Sequence, residues 1–279
     1  MEALRNKRSD TVRLSISNIG WTSEYDEEMY RFLADNDYFG LEIAPTRIFP
    51  QAPYDRLDDA RNFLKHLKKY NLSVTSIQSI WYGVTDSIFG TDSQRQGLVE
   101  YTKKAIDFAN VLECPNIVFG CPKNRAIPLH MTPDKYLPIS HAFFEAVCAY
   151  ASQKGVFVSI EANPPIYNTN FINTSKEAFD FCASMRSVGL MVNFDLGAMI
   201  YNGEDMNILD KHISEVNHVH LSEPYLTPLA KRDLHKDFIL KLRDLSYSKS
   251  ISIEICTQKN IDVIKNAAIY IRELCNDCI

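Results

Sequence analysis

The chain has 279 residues, 46% of them hydrophobic, and a formal net charge of −5. A chain of that length buries roughly three-quarters of its extended surface, so it needs no staples, and its interspersed charges leave no electrostatic footprint for a nucleic-acid backbone. The polar opening MEALRNKRSD is no secretory signal, no apolar run nears the ~18 residues of a membrane span, and seven irregularly spaced cysteines read as reduced thiols of a cytoplasmic protein.

Strand-like and helix-like patterns alternate from end to end. The first strand is read at residues 12–17 and the second at 40–43. A helix at 58–70 follows, with Phe63, Leu64 and Leu67 on one face, and then a strand at 73–78. The helix at 94–111 spaces Leu98, Tyr101, Ala105, Phe108 and Ala109 helically, ahead of a strand at 116–119. A helix at 140–154 leads to the strand 156–161. Asn173-Thr174-Ser175 with Glu177 then caps a helix at 175–186. Strands at 190–195, 215–221 and 251–255 complete the set, with helices at 236–245 and 261–274. Several strands are continuous apolar or β-branched runs, as strands covered on both faces are. Eight such units without linker, low-complexity stretch or GxGxxG motif predict one α/β domain over residues 1–279, a single (β/α)₈ TIM barrel. Cys275 and Cys278 form one CxxC, without the second pair that a structural zinc site needs.

Glu161, Asp195, His220 and Glu254 close the successive runs VFVSIE, GLMVNFD, VNHVH and SISIE. An unpaired charge buried in such a run costs several kcal/mol. Singly, each reads as well as a carboxylate paired with a lysine or capping a helix. Four in order, at the strand ends that form a barrel's active face, point to one divalent metal. Carboxylates with one imidazole suit Mn²⁺ or Co²⁺, with Mg²⁺ and Zn²⁺ also compatible.

FDLG around Asp195, HVHLSEP with His218, His220 and Glu223, SIEI with Glu254 and SIEANP with Glu161 resemble the xylose-isomerase-like TIM-barrel superfamily of sugar isomerases and epimerases. The similarity runs over nearly the whole chain. GLEIAPT, QSIWYG, FGCPKNR and EANPPIYNTNF are similar to a sugar phosphate isomerase/epimerase subgroup within it. The resemblance implies that Glu161, Asp195, His220 and Glu254 ligate one metal. As in ketose 3-epimerases and hydroxypyruvate isomerase, it implies that Glu161 and Glu254 also exchange a proton with the substrate through a metal-stabilised enediolate. Many relatives carry a histidine three residues after the strand-six aspartate, where this chain has Ala198. The resemblance implies a sugar or sugar phosphate as the partner, and many barrels of this kind are homo-oligomers, although nothing in the sequence fixes the assembly; the charge balance and hydropathy predict no nucleic acid and no membrane as partners.

Further pocket candidates are read from position. Glu42 ends strand two, as a ligand for a substrate hydroxyl or a partner of Arg47. Gln78, Trp81 and Tyr82 follow strand three, where aromatics stack on sugar faces or simply pack. Lys123 and Arg125 follow strand four as anion-binding candidates, with Arg47 a third cation. Asn163 shares the face of Glu161, Asn193 precedes Asp195 by two, and Glu223 and His235 complete the substrate candidates. His218 reads as structural, and His66, His130, His141 and His212 as surface residues. Dehydration of a cyclitol or keto-sugar begins with the same proton abstraction and is the nearest alternative. An endonuclease IV-type nuclease needs further histidines that strands two and three lack, and a non-catalytic sugar-binding barrel is the remaining class.

Overall fold

The structure is a computed structural model that describes residues 12–185 and 188–277; Arg186 and Cys278 of the expectations above lie outside them. Eight parallel strands, β1 (Arg13–Ser17), β2 (Gly40–Ile43), β3 (Ser73–Ile77), β4 (Asn116–Phe119), β5 (Phe157–Glu161), β6 (Leu190–Asp195), β7 (Val216–Ser222) and β8 (Ser250–Glu254), pair in sequence order. The pairing of β8 with β1 closes the barrel. Each strand is followed by a principal helix: α1 (Asp26–Asp35), α2 (Leu57–Lys68), α3 (Asp92–Val111), α4 (Pro133–Gln153), α5 (Ser175–Met185), α6 (Leu196–Asn202), α7 (Asp233–Asp244) and α8 (Ile261–Asp277).

The helices form where an apolar stripe and end signals coincide. In α2, Ala60, Leu64 and Leu67 are buried at helical spacing, with Asp58 and Asp59 in the first turn and Lys65, His66 and Lys68 in the last, matched to the helix dipole. A capping box of Thr91 and Gln94 starts α3. Helix α4 begins seven residues before its expected start, at Pro133, whose missing N–H is harmless at a first helical position. Pro138, within that helix, obscures the pattern in the sequence. Helix α1 also escaped the sequence reading, although Asp26, Glu27 and Glu28 open it and Met29, Tyr30 and Leu33 are its buried face.

Strand alternation divides the molecule into two cores. Leu14, Ile16, Leu41, Ile43, Val219 and Leu221 belong to the apolar layer between strands and helices. The lumen is polar: Ser15 meets Ser252, Asn116 Nδ2 donates to Ser76 Oγ at 2.9 Å, and Asn217 Nδ2 donates to Asn116 Oδ1 at 2.7 Å. A register shift between β6 and β7 skips Asn217, which lets it reach the lumen beside His218. Buried polar groups are tolerated here because they satisfy one another.

Candidate active site

The barrel brings Glu161, Asp195, His220 and Glu254 together at the carboxyl ends of β5 to β8, with one ligand-capable atom from each lying within 4.8 Å of the others. His220 is the hub. Its Nδ1 lies 2.8 Å from Glu161 Oε1, 3.1 Å from Glu254 Oε2 and 3.6 Å from Asp195 Oδ2. Its Nε2 lies 2.8 Å from Glu42 Oε2. Glu42 is fully buried beneath the site, and its Oε2 also meets His218 Nε2 at 3.2 Å. Burial by itself would raise the Glu42 carboxyl, but the His220 and His218 imidazoles outweigh it and hold Glu42 well below the usual carboxylate range. Burial likewise opposes the charged form of His220, yet Glu42 and Glu254, with hydrogen bonds to Asp195 and Glu161, raise it well above an ordinary imidazole. In His218 burial prevails over Glu42, and its pKa falls.

Each carboxylate is separately fixed. Asn193 Nδ2 donates to Glu161 Oε1 at 2.6 Å and Asn163 Nδ2 to Glu161 Oε2 at 2.7 Å, so both oxygens are oriented. Gln78 Nε2 donates to Glu254 Oε1 at 2.7 Å and also reaches Ser17 Oγ and Glu42 Oε1. Asp195 caps α6: its Oδ1 accepts from the Ala198 N–H at 2.6 Å and from Ser222 Oγ at 3.0 Å, leaving Oδ2 toward His220.

The donor set fits a divalent cation. Three carboxylates and an imidazole nitrogen converge, and Glu42 accepts at the opposite imidazole nitrogen. Such a set repels itself unless a cation or a shared proton lies among it. A carboxylate behind a ligating histidine is the usual way its ring is oriented.

Several candidates have protein partners within the structure. Glu42 neither pairs with Arg47 nor faces the mouth; it supports His220, while Arg47 is held by Asp26 at 2.7 Å and by the Trp21 carbonyl. Gln78 and Asn163 hold the two glutamates. Trp81 is buried, its ring edge-on to Phe119 at 4.8 Å and its Nε1 donating to Thr102, because the chain turns it into the helix layer. Arg125 is fully buried, with Nη2 donating to the Glu161 carbonyl at 2.6 Å and to Asn163 Oδ1 at 2.8 Å, so it braces the β5 end. Burial pushes its guanidinium down to about 10, against the pull of Glu161 and Cys121. Glu223 has the parity opposite to His218, His220 and Ser222, so it leaves the lumen and is clamped by Arg232 Nε and Nη2, each at 2.7 Å. His235 lies inside the first turn of α7, fully buried against Tyr270, with Nε2 3.7 Å from Glu223 Oε1. Lys123 is exposed, in the turn Pro122–Arg125 after β4.

The support residues Glu42, Gln78 and Asn193 each carried a signal the sequence reading used differently, a polar residue at an inward position near a strand end, and Ser222, the last residue of β7, was missed. Among the described residues no helix is long and apolar enough to cross a membrane.

Comparison with solved structures places the same barrel in several enzymes. The 3-keto-D-glucoside 4-epimerase of E. coli superposes with a TM-score of 0.76 at 14% identity, over 94% of this chain and 100% of that one. The D-psicose 3-epimerase of Clostridium cellulolyticum, solved with D-tagatose, gives 0.78 at 15% identity over 95% and 99%. A family 2 AP endonuclease from Brucella melitensis gives 0.70 at 16% identity over 93% and 98%. Identities this low speak for the fold alone. No curated protein matches the sequence. The sequence profile of the xylose isomerase-like TIM barrel matches residues 30–274, and the chain belongs to that family.

Proposed function

We propose that the protein is a metal-dependent sugar isomerase or epimerase that moves a proton next to a carbonyl. The observation that carries this reading is the pairing of two independently braced glutamates, Glu161 and Glu254, around one imidazole-carboxylate cluster. Glu161, Asp195, His220 and Glu254 would hold the cation, with Mn²⁺ or Co²⁺ favoured by one nitrogen among oxygen donors. The bound ion supplies Lewis-acid stabilisation of the negative charge that develops on the substrate oxygens.

The chain's own residues do the rest. A carboxylate of Glu161 or Glu254 removes the proton from the carbon beside the carbonyl, and either the same group or the other glutamate returns it. Asn163 and Asn193 keep Glu161 aimed, and Gln78 keeps Glu254 aimed, so little reorganisation is needed when the proton moves. Arg125 anchors Asn163 from below. A small-molecule sugar suits the mouth: Arg47 is committed to Asp26 and Arg125 to the β5 backbone, which leaves Lys123 as the exposed cation among the three candidates for a phosphate.

Incubation of the Mn²⁺- or Co²⁺-supplemented protein with a panel of sugars and sugar phosphates in D₂O tests the reading. Deuterium entering a carbon alpha to a carbonyl is the expected result. A panel that includes the ketoses and keto-sugars and shows no exchange in any member would overturn it.

A further inference from the structure

Tyr167, the last residue of the turn Pro165–Tyr167 after β5, stands half-buried at the mouth of the site. Its phenol is raised above the ordinary range by burial first, and then by the charge of Asp195, with smaller contributions from Glu254 and Glu161. The turn that carries it follows β5, so it stands on the same barrel face as Glu161 at that strand's end. Its oxygen is already an acceptor, taking the Tyr225 N–H at 3.1 Å. Among the described residues, no acceptor takes its own O–H.

The donor of that bond sits in an unusual piece of backbone. Tyr225 and Leu226 both occupy the left-handed region, with φ of 62° and 52°, which side-chain-bearing residues rarely adopt. Three hydrogen bonds hold the turn: Tyr225 N–H to Tyr167, the Leu226 N–H to the Glu223 carbonyl at 2.9 Å, and the Cys256 N–H to the Leu226 carbonyl at 2.8 Å. The Tyr225 ring also meets Tyr201 of α6 edge-on, with centroids 6.1 Å apart. The segments following β5, β6, β7 and β8 are thus tied together above the cluster. Strained backbone persists where its surroundings hold it, and here the turn fixes the Tyr167 oxygen through the Tyr225 N–H.

We propose that Tyr167 donates its O–H to the substrate oxygen adjacent to the carbon that exchanges its proton, with the Tyr225–Leu226 turn fixing the phenol by occupying its acceptor side. No proton is transferred; the hydroxyl remains a donor. The bond strengthens as negative charge grows on that oxygen, so it acts mainly on the rate of proton removal. The inference rests on the isomerase or epimerase reading above.

The test is Tyr167→Phe in the full-length, Mn²⁺-loaded protein. On the sugar that wild type exchanges in D₂O, kcat is expected to fall by about 10²-fold, in the range of a lost oxyanion donor, with KM changed little. Metal content and melting temperature are expected to stay at wild-type values. An unchanged kcat overturns the proposal; so does a loss that tracks lost metal or lost stability, which makes Tyr167 a structural prop. A second readout needs no turnover: calorimetric titration with xylitol, a neutral linear polyol, where the variant is expected to bind within about twofold of wild type because no charge develops on its oxygens. Binding weakened about tenfold or more would make Tyr167 a ground-state contact and overturns the proposal. The two readings fail differently, because wild type that neither exchanges nor binds polyol removes both, whereas exchange that survives Tyr167→Phe but not Glu161→Gln removes only the tyrosine.

Discussion

Glu161 and Glu254 differ in how they are held, and the difference bears on their chemistry. Glu161 accepts an amide on each oxygen, whereas Glu254 accepts Gln78 on Oε1, and both approach His220 Nδ1, at 2.8 and 3.1 Å. Both are less than a tenth exposed, so bulk water screens neither from its hydrogen-bond partners. Replacing either by glutamine keeps the shape and one oxygen donor but removes the base. Glu161→Gln or Glu254→Gln should therefore reduce turnover by roughly 10²- to 10⁴-fold, while metal content measured by elemental analysis falls only in part. A variant that keeps near wild-type turnover would show that its glutamate moves no proton. In Glu161→Gln the new amide also faces two donated N–H groups, so that variant should lose more stability than Glu254→Gln, where a single amide is opposed.

At the level of the elements, the strand ends place the site, and the small residues beside them leave it room. Gly120 directly follows β4, and a Cβ built there would stand 2.9 Å from Glu161 Oε2 and 3.5 Å from Asn163 Oδ1. Gly120→Ala should displace the Glu161 carboxylate and lower kcat on the order of 10²-fold, as a 1 Å misplacement can, while thermal melting changes little because the glycine has no left-handed φ to defend. Unchanged kcat would mean that the carboxylate position is not critical. This arrangement also explains what was legible in the sequence. The eight strands and the four converging residues were readable because an acid or histidine ending an apolar run is costly without a purpose. The neighbours were harder, since their roles depend on which way a side chain leaves the strand or loop. Glu223 looks like a pocket residue until its parity sends it to Arg232, and Trp81 until its ring is found against Phe119. Tyr167 carried no periodic signal at all, because a loop residue acquires its position from Tyr225, 58 positions away.

For the molecule as a whole, the cluster joins β5, β6, β7 and β8, half of the barrel, through groups of mostly like charge. A cation bound there stabilises the folded chain by mass action, about 2.7 kcal/mol at a concentration one hundred times the Kd. For a domain of this size or slightly smaller that corresponds to a melting increase of about 5–10 °C. The sign of the pH dependence follows from His220, whose pKa is raised well above its ordinary 6.5 by the surrounding carboxylates. In EDTA its contribution to stability is fully present below the unfolded pKa and is lost as pH rises through the folded one. A cation that takes Nδ1 competes with that proton, so its own contribution has the opposite slope and grows as pH rises. The Mn²⁺-induced increase in melting temperature should thus be larger near pH 8 than near pH 6, and calorimetric titration in buffers of different ionisation enthalpy should show a proton released on binding. The increase should shrink strongly in His220→Ala and partly in Glu161→Gln. An increase that is equal at both pH values, or that survives loss of His220, would place the ion elsewhere and detach the cluster from metal binding.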